Sequence, residues 1–414
     1  MISSTAKRGL AGWVIGFGSS VLADQVFYLA LAWAVVQLGT PELIGPVLAA
    51  AIVPKILILL FSGNLVDSGS PKKIIMTTDA GRALAMAFVA AIIFFGGLET
   101  WIIIFVALLV GTLDGFFLPA IGALPARIAP TYSMTKLSAL RTVTQRFGIL
   151  GGGPLAGWLI YLFGSSAAFA GAAVLFAMSV LSLIFVKLID HEVVPVVSTD
   201  KPQLLARAWD EVSSGFRVLQ GKPILMVLMI IIAVMNFGFS GPFTAGIPLL
   251  ADGSGWGAKG AGYLIGAFGI GSAVSGFGLL VIKHIPRAGL TSMITLFFMG
   301  VSLSTIGLTS NYTVAMIASI VMGLTCGVFG TIAYGQLLQL SSSNEVGRVM
   351  GLLSLNLEGT AALSFLATGV SEINLSLGSS FLIGGLLILV TAVAGFARSD
   401  VRQLEADRST AKTN

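Results

Sequence analysis

Read for apolar and polar positions, the chain alternates long apolar runs with short polar breaks. Runs of about 20 apolar residues, the length a helix needs to cross a bilayer, fall at 12–38, 43–62, 75–97, 101–123, 137–163 and 167–187. A second set falls at 223–250, 260–282, 290–309, 313–338, 348–371 and 379–397. They are continuously apolar and lack the alternation of a barrel strand, so each predicts a membrane-spanning helix. One polar stretch, 190–222, is longer than the other breaks. Within it Leu204, Leu205, Ala208, Trp209, Val212, Phe216 and Leu219 recur at helical spacing, with Arg207, Asp210, Glu211 and Arg217 on other faces. That pattern predicts an amphipathic helix on the membrane surface.

The expected fold class is therefore an all-α membrane protein of twelve transmembrane helices in two pseudo-symmetric six-helix bundles. The first bundle occupies 1–189, a linker 190–222, the second bundle 223–397, and a polar tail 398–414. Inner loops recur at corresponding places, Lys72 and Lys73 in one half and Lys283 to Arg287 in the other. A two-half layout of this kind suits a carrier with its site near the bilayer midplane.

Composition strengthens the picture. Of 414 residues 56% are hydrophobic and 10% charged, where a soluble domain carries about a quarter charged residues. Lys7 and Arg8 precede an apolar run of about 25 residues, long enough to remain a span and not a cleaved signal. With the N-terminus inside, all but three of the 23 Lys and Arg lie at cytoplasmic positions. Lys259 is in an outer loop, Lys55 and Arg146 are within spans, and Glu42, Glu99 and Asp252 mark the outer side. This asymmetry predicts a cell-membrane (inner-membrane) protein with both termini cytoplasmic. The net charge of +5 sits in short loops and implies no nucleic-acid partner. The single Cys326 permits no internal disulfide, and His191 and His284 show no metal-ligand spacing, so neither metal nor cofactor is expected.

Ionised side chains inside hydrocarbon mark function or a pair. Asp24, Lys55, Asp114, Arg146 and Glu358 lie well within spans. Asp24 and Lys55 stand about 14 and 12 residues from their outer turn, and Asp114 and Arg146 about ten and nine from their inner turn. Matched depth suggests the pairs Asp24–Lys55 and Asp114–Arg146 and leaves Glu358 without an obvious cation. An isolated Glu is a candidate for binding and releasing a proton, with Asp24 and Asp114 as alternatives. Static bridges and a water-facing Glu358 are the plainer reading of the same residues. Spans three, six, nine and twelve carry no charge beyond their ends.

Several stretches resemble one known family. Gly63, Leu65, Asp67 and Lys72 follow the G-x-L-x-D-x-x-x-x-K loop between helices two and three of the major facilitator superfamily. Ser68, Ser70 and Pro71 stand where that family has basic and Gly residues. Asp79 and Arg82 resemble its D-x-x-R motif, and Gly347 with Arg348 its G-R at the start of helix eleven. In helix five Gly148, Gly151, Gly152, Gly153, Pro154 and Gly157 look like the G-x-x-x-G-P-x-x-G signature of its proton-coupled exporters. The same spacing equally suits a small-residue packing face. Asp24 with Gln25, Phe27 and Tyr28, then Phe117 with Pro119, Leu124 with Pro125, and Asn236 with Phe237 extend the likeness to the branch of bacterial macrolide-efflux and enterobactin-exporter proteins.

The resemblance implies that Asp67 latches the inner gate at the start of helix eleven, supported by Lys72, Asp79 and Arg82. It implies that helices three, six, nine and twelve face lipid. Phe27, Tyr28, Asn236, Phe237, Phe239 and Gln336 then fall on cavity-type helices and could receive an amphiphilic substrate, with Phe243 and Tyr334 weaker candidates. The expected activity is export of hydrophobic or amphiphilic small molecules by proton antiport and alternating access, by a monomer in the bilayer. The alternatives are a siderophore, lipid-like molecule or natural product as cargo, or an uncoupled carrier. No nucleophile–base set favours an enzyme, no filter loop a channel, and no effector domain a sensor.

Overall fold

The structure, a computed structural model, describes residues 4–61, 70–128, 132, 134–186, 203–281, 287–342 and 344–404. Among them every regular element is helical. Helix α1 spans Ser4–Gln37, and α2, Ile44–Phe61, follows a short 3-10 turn at Pro41–Leu43. Then come α3 (Pro71–Phe94), α4 (Thr100–Ile128), α5 (Met134–Phe163) and α6 (Ser165–Ile184). The linker helix is α7 (Gln203–Gly221). Helix α8 (Pro223–Gly241) continues through a π turn at Pro242–Gly246 into α9 (Ile247–Gly253). The chain ends in α10 (Gly257–Val281), α11 (Ala288–Leu308), α12 (Tyr312–Leu340), α13 (Val346–Asn374), α14 (Ser379–Ala397) and the short α15 (Ser399–Arg402).

Among the described residues, eleven helical segments are long and apolar enough to cross a membrane, Pro223–Gly253 counting as one. Helix α5 is not among them, although its 30 residues are ample to span a bilayer. Lys136, Arg141, Arg146 and a Gly-rich middle dilute its apolar character. With α5 in its place between α4 and α6, the helices follow the order of the twelve expected spans.

By contact density the chain divides into two units, 1–206 with 255–266 and 207–254 with 267–414. In the first, α1 packs on α5 and α6, α3 on α4 and α6, and α2 on α4. In the second, α11 packs on α12 and α14, and α8 on α13 and α14. The division falls inside α7, and the first turns of α10 join the first unit.

Each membrane helix buries one side and leaves apolar side chains on the other. In α3 the inward face carries Ile75, Thr78, Asp79, Arg82, Met86 and Val89, while Leu84, Phe88 and Phe94 are exposed. Exposed apolar area on this scale suits contact with acyl chains. Turns use glycine where the backbone needs positive φ: Gly39 after α1 (67°) and Gly164 between α5 and α6 (82°).

Small residues set the helix spacing. A methyl group on Gly111 of α4 would overlap the Ala51 carbonyl oxygen of α2, and one on Gly115 would lie 2.6 Å from Ile58 Cβ. The same arrangement recurs in the second unit. There a methyl on Gly323 of α12 would overlap the Phe268 carbonyl oxygen of α10, and one on Gly327 would overlap Ser275 Oγ. In both units, glycines four apart let two backbones touch.

Candidate functional site

A buried cluster of charge forms where α1, α3, α4 and α6 meet. It is centred on Arg82, whose side chain is 0% exposed. Asp79 and Arg82, three apart, share one face of α3 and make an ion pair at 3.1 Å. Asp24 Oδ1 of α1 lies 3.2 Å from Arg82 Nη1, and Asp114 Oδ1 of α4 lies 3.0 Å from the same nitrogen. Ser20, one turn before Asp24, donates to Asp79 Oδ1 at 3.3 Å, and Ser179 of α6 donates to Asp79 Oδ2 at 2.5 Å.

Two aromatic rings flank the guanidinium. Phe117 of α4 lies 4.2 Å and Phe176 of α6 4.9 Å from Arg82 Cζ, centroid to carbon. Stacked rings desolvate a planar cation while offering it their negative faces.

The contacts are not equivalent. Arg82 Nη1 donates a well-formed hydrogen bond to Asp24. Its Nε and Nη2, and Asp114 Oδ1, have no hydrogen-bond partner despite the ion-pair distances, so the contacts with Asp79 and Asp114 are held by charge without alignment. Exposure differs as well: the Asp79 side chain is 0% exposed, Asp114 9% and Asp24 23%. Three carboxyl groups surround one guanidinium, and the most accessible of them holds the directional bond.

This arrangement corrects the expected pairing. Asp114 takes Arg82, and not Arg146, as its cation. Asp24 also takes Arg82 in direct contact, so its pairing is not with Lys55 alone. Arg146 is half-buried on α5. Glu358, half-buried on α13, is not without a partner, so the expectation of an isolated Glu does not hold.

The resemblance makes Asp79 and Arg82 supports of the loop latch, close to the start of the apolar run at 75. They lie eight and eleven residues beyond Pro71, about 12 and 16 Å along the axis. The helix starts earlier than its apolar run because Pro71 is suited to its first position and Lys72 and Lys73 form a polar first turn. The third span is therefore not free of buried charge, and its inward face is a wall of the cluster.

The gating-loop residues Gly63 and Asp67 lie outside the described residues. Lys72 donates to the carbonyl oxygens of Val186 (2.6 Å) and Ile184 (3.1 Å), fastening the start of α3 to the end of α6. Arg348 is exposed in the first turn of α13.

The helix-five glycines serve two neighbours. A methyl on Gly148 would lie 2.5 Å from Val21 Cγ1, and one on Gly152 would overlap Gln25, both on α1. Gly153 and Gly157 face the first turns of α10: a methyl on Gly157 would stand 2.7 Å from the Ala258 carbonyl oxygen, and one on Gly262 2.5 Å from that of Gly153. Pro154 meets Gly266 across the same seam. At one end of the seam the Lys259 ammonium lies over Trp158 (4.3 Å), Tyr161 (5.1 Å) and Tyr263 (5.9 Å), and Trp158 Nε1 donates to Tyr263 Oη at 2.9 Å.

The expected cavity residues have mixed surroundings. Phe27 is fully buried, with its ring 5.3 Å from that of Tyr28. Asn236 donates to the Leu357 carbonyl oxygen and to Thr360 Oγ1, both at 2.7 Å, so α13 already engages its amide donors. Phe237 lines a cavity of about 130 Å³ with Ser364, Thr368 and Ser380. Phe239 stacks with Phe243 (4.9 Å) and Phe268 (5.4 Å). Gln336 is 2% exposed, and neither end of its amide has a hydrogen-bond partner. Sequence reading missed the roles of Ser20, Phe117, Phe176, Ser179 and Phe268. The available signal was the i, i+3 spacing of Asp79 and Arg82 on a helix already facing two other acids.

An all-helical membrane fold with a charged cluster buried among its helices suits a solute carrier. Residues 12–364 match the Major Facilitator Superfamily, and the chain belongs to it. Among curated proteins no relative matches. Solved structures share the fold at low identity. The nucleoside transporter NupG aligns with a TM-score of 0.70 at 15% identity, over 94% of this chain and 99% of its own. The human organic anion transporter MFSD10 (TETRAN) gives 0.66 at 14%, over 95% and 100%. A D-xylose-proton symporter gives 0.68 at 13%, over 95% and 96%.

Proposed function

We propose that this transporter couples solute movement to protons at the Arg82 cluster, and that it exports hydrophobic or amphiphilic small molecules in exchange for protons. The observation that carries the reading is the ratio of three acids to one cation in a buried site, with Asp24 the acid most open to its surroundings. In a low-dielectric interior a formal excess of two negative charges is expensive, and one proton on Asp24 lessens it. Protonation removes one of the two carboxylate charges at Arg82 Nη1, leaving the guanidinium to Asp79 and Asp114. That redistribution is a discrete two-state change of the kind that can bias alternating access. Asp79, held by two serine hydroxyls, anchors Arg82 through the exchange. The stacked rings of Phe239, Phe243 and Phe268 offer an apolar surface that suits an amphiphilic cargo. In this reading the carrier sits in the cell membrane with both termini in the cytoplasm.

The test is transport in proteoliposomes with an imposed pH gradient, using lipophilic cations, macrolides and siderophores. Wild type should move one compound outward against an inward proton flow, and Asp24→Asn should still bind that compound but lose acceleration by the gradient. Equal rates with and without the gradient in wild type would overturn coupling. Co-directional movement of proton and solute would replace antiport by symport. Unchanged coupling in Asp24→Asn would remove Asp24 from the role.

A further inference from the structure

A second charged site lies in the other unit, where α7 meets the first turn of α13. A cavity of about 520 Å³ opens there, lined by Ser214, Arg217, Val218, Gly221, Lys222, Glu345 and Arg348. Its volume falls within the roughly 300–1,000 Å³ common for ligand sites. The two walls are built to approach: a methyl on Gly215 would lie 2.7 Å from Leu352 Cδ1 of α13.

The lining has three cations and one acid, and that acid is already committed. Glu345 Oε2 accepts from Lys222 Nζ at 2.6 Å and from the Ser342 N–H at 2.9 Å. These bonds hold the Glu345 carboxyl at a pKa of about 2, so it stays ionised at neutral pH. Lys222 is further tied to the Leu340 carbonyl oxygen at 3.0 Å. Lys222 and Glu345 neutralise each other. Among the described residues neither Arg217 nor Arg348 has a carboxylate partner. Two guanidinium groups, separated in sequence but lining one cavity, are left uncompensated beside the positive end of the α13 dipole.

We propose that this cavity binds a phosphate-bearing anion, held by Arg217 and Arg348 with Ser214 at its wall. Guanidinium groups match phosphate oxygens bidentately, which favours phosphate over a simple halide. The anion has two possible sources, the headgroup of an anionic phospholipid or a soluble phosphate. The position favours the lipid: α7 is the amphipathic helix, its Phe216 is 50% exposed beside Arg217, and basic pockets at a membrane surface recruit acidic headgroups. The site is independent of the Arg82 cluster and does not rest on proton coupling.

The experiment uses the full chain, purified and delipidated in a neutral detergent. Retention of added phosphatidylglycerol and phosphatidylcholine is read by native mass spectrometry, and binding of radiolabelled inorganic phosphate by equilibrium dialysis. Phosphatidylglycerol should be retained over phosphatidylcholine, and Arg217→Gln and Arg348→Gln should each weaken it about tenfold, as loss of one charge-assisted bond implies. Glu345→Gln frees Lys222 and should tighten binding, the opposite of what simple loosening of the fold would do. Phosphate binding that follows the same three variants, without lipid preference, would assign the site to a soluble anion. Indifference of both ligands to Arg217→Gln and Arg348→Gln, or weaker binding in Glu345→Gln, would overturn the proposal.

Discussion

The two units solve the same packing problem and then fill the seam with different chemistry. In the first, Gly111 and Gly115 of α4 press on α2; in the second, Gly323 and Gly327 of α12 press on α10. The residue one turn after the first glycine is Asp114 in one case and Cys326 in the other. Asp114 contributes to a site of three carboxyl groups and one guanidinium. Beyond the Lys222–Glu345 pair at their first turns, the second unit joins α8 to α13 through hydrogen bonds between neutral groups. Asn236 binds Thr360 and the Leu357 carbonyl, Ser240 donates to Asn236, and Ser364 accepts from the Gly241 N–H and donates to the Phe237 carbonyl. Helix spacing and charge placement are therefore separable: the glycines fix the first and permit either choice for the second.

The largest test of this contrast is Arg82→Met. It leaves three buried carboxyl groups without their cation and should lower stability by about 3–5 kcal/mol, the range for breaking a buried pair. Thermal unfolding in detergent checks it. Asp24→Asn, which keeps shape and removes one charge, should be far milder. Next come the seams. Gly111→Val and Gly323→Val should each destabilise by about 1–3 kcal/mol, the range for overpacking. Similar losses in both would support equivalence of the seams, and tolerance of either would break it.

In the neutral network, Asn236→Leu should lower stability by about 1–3 kcal/mol, from three lost hydrogen bonds, and leave the pH dependence of transport unchanged. A shifted pH profile would show that the second unit also handles protons. Phe176→Leu removes one ring from Arg82 and should forfeit about 1 kcal/mol. The smallest effect belongs to Lys222–Glu345. The Glu345 pKa falls from an ordinary 4.5 to about 2 in the folded chain. Its contribution is thus complete above pH 4.5 and fades as pH drops toward 2. The unfolding temperatures of wild type and Glu345→Gln should converge across that window.

Helix number and order were legible from run length alone, because a bilayer demands about 20 apolar residues and tolerates few charges. The boundary of α3 was not, since its polar first turn lies outside the apolar run, and this displaced Asp79 and Arg82 to the wrong depth. The presence of Asp24 and Asp114 in the site was legible from the expense of burying charge. Their partner was not. Counting residues from a turn gives height along a helix and says nothing of the direction a side chain faces around the axis. Lys55 and Arg146 matched in height, but Arg82 is the cation that meets both acids. Asn236 shows the same limit, because nothing local reveals that its amide is already bound to α13.

The line where Gly153 and Gly157 of α5 lie on Ala258 and Gly262 of α10 sets backbone against backbone, with only Ile265 and the Pro154 ring filling the hollows beside glycines. Two rods that meet mostly through backbone grip through closeness and have few teeth to disengage. A single added carbon at Gly157 would therefore act as a wedge along the whole line, whereas Lys259 among its three rings is a clasp at one end. The sequence has separated adhesion from fastening, and each can be altered without touching the other.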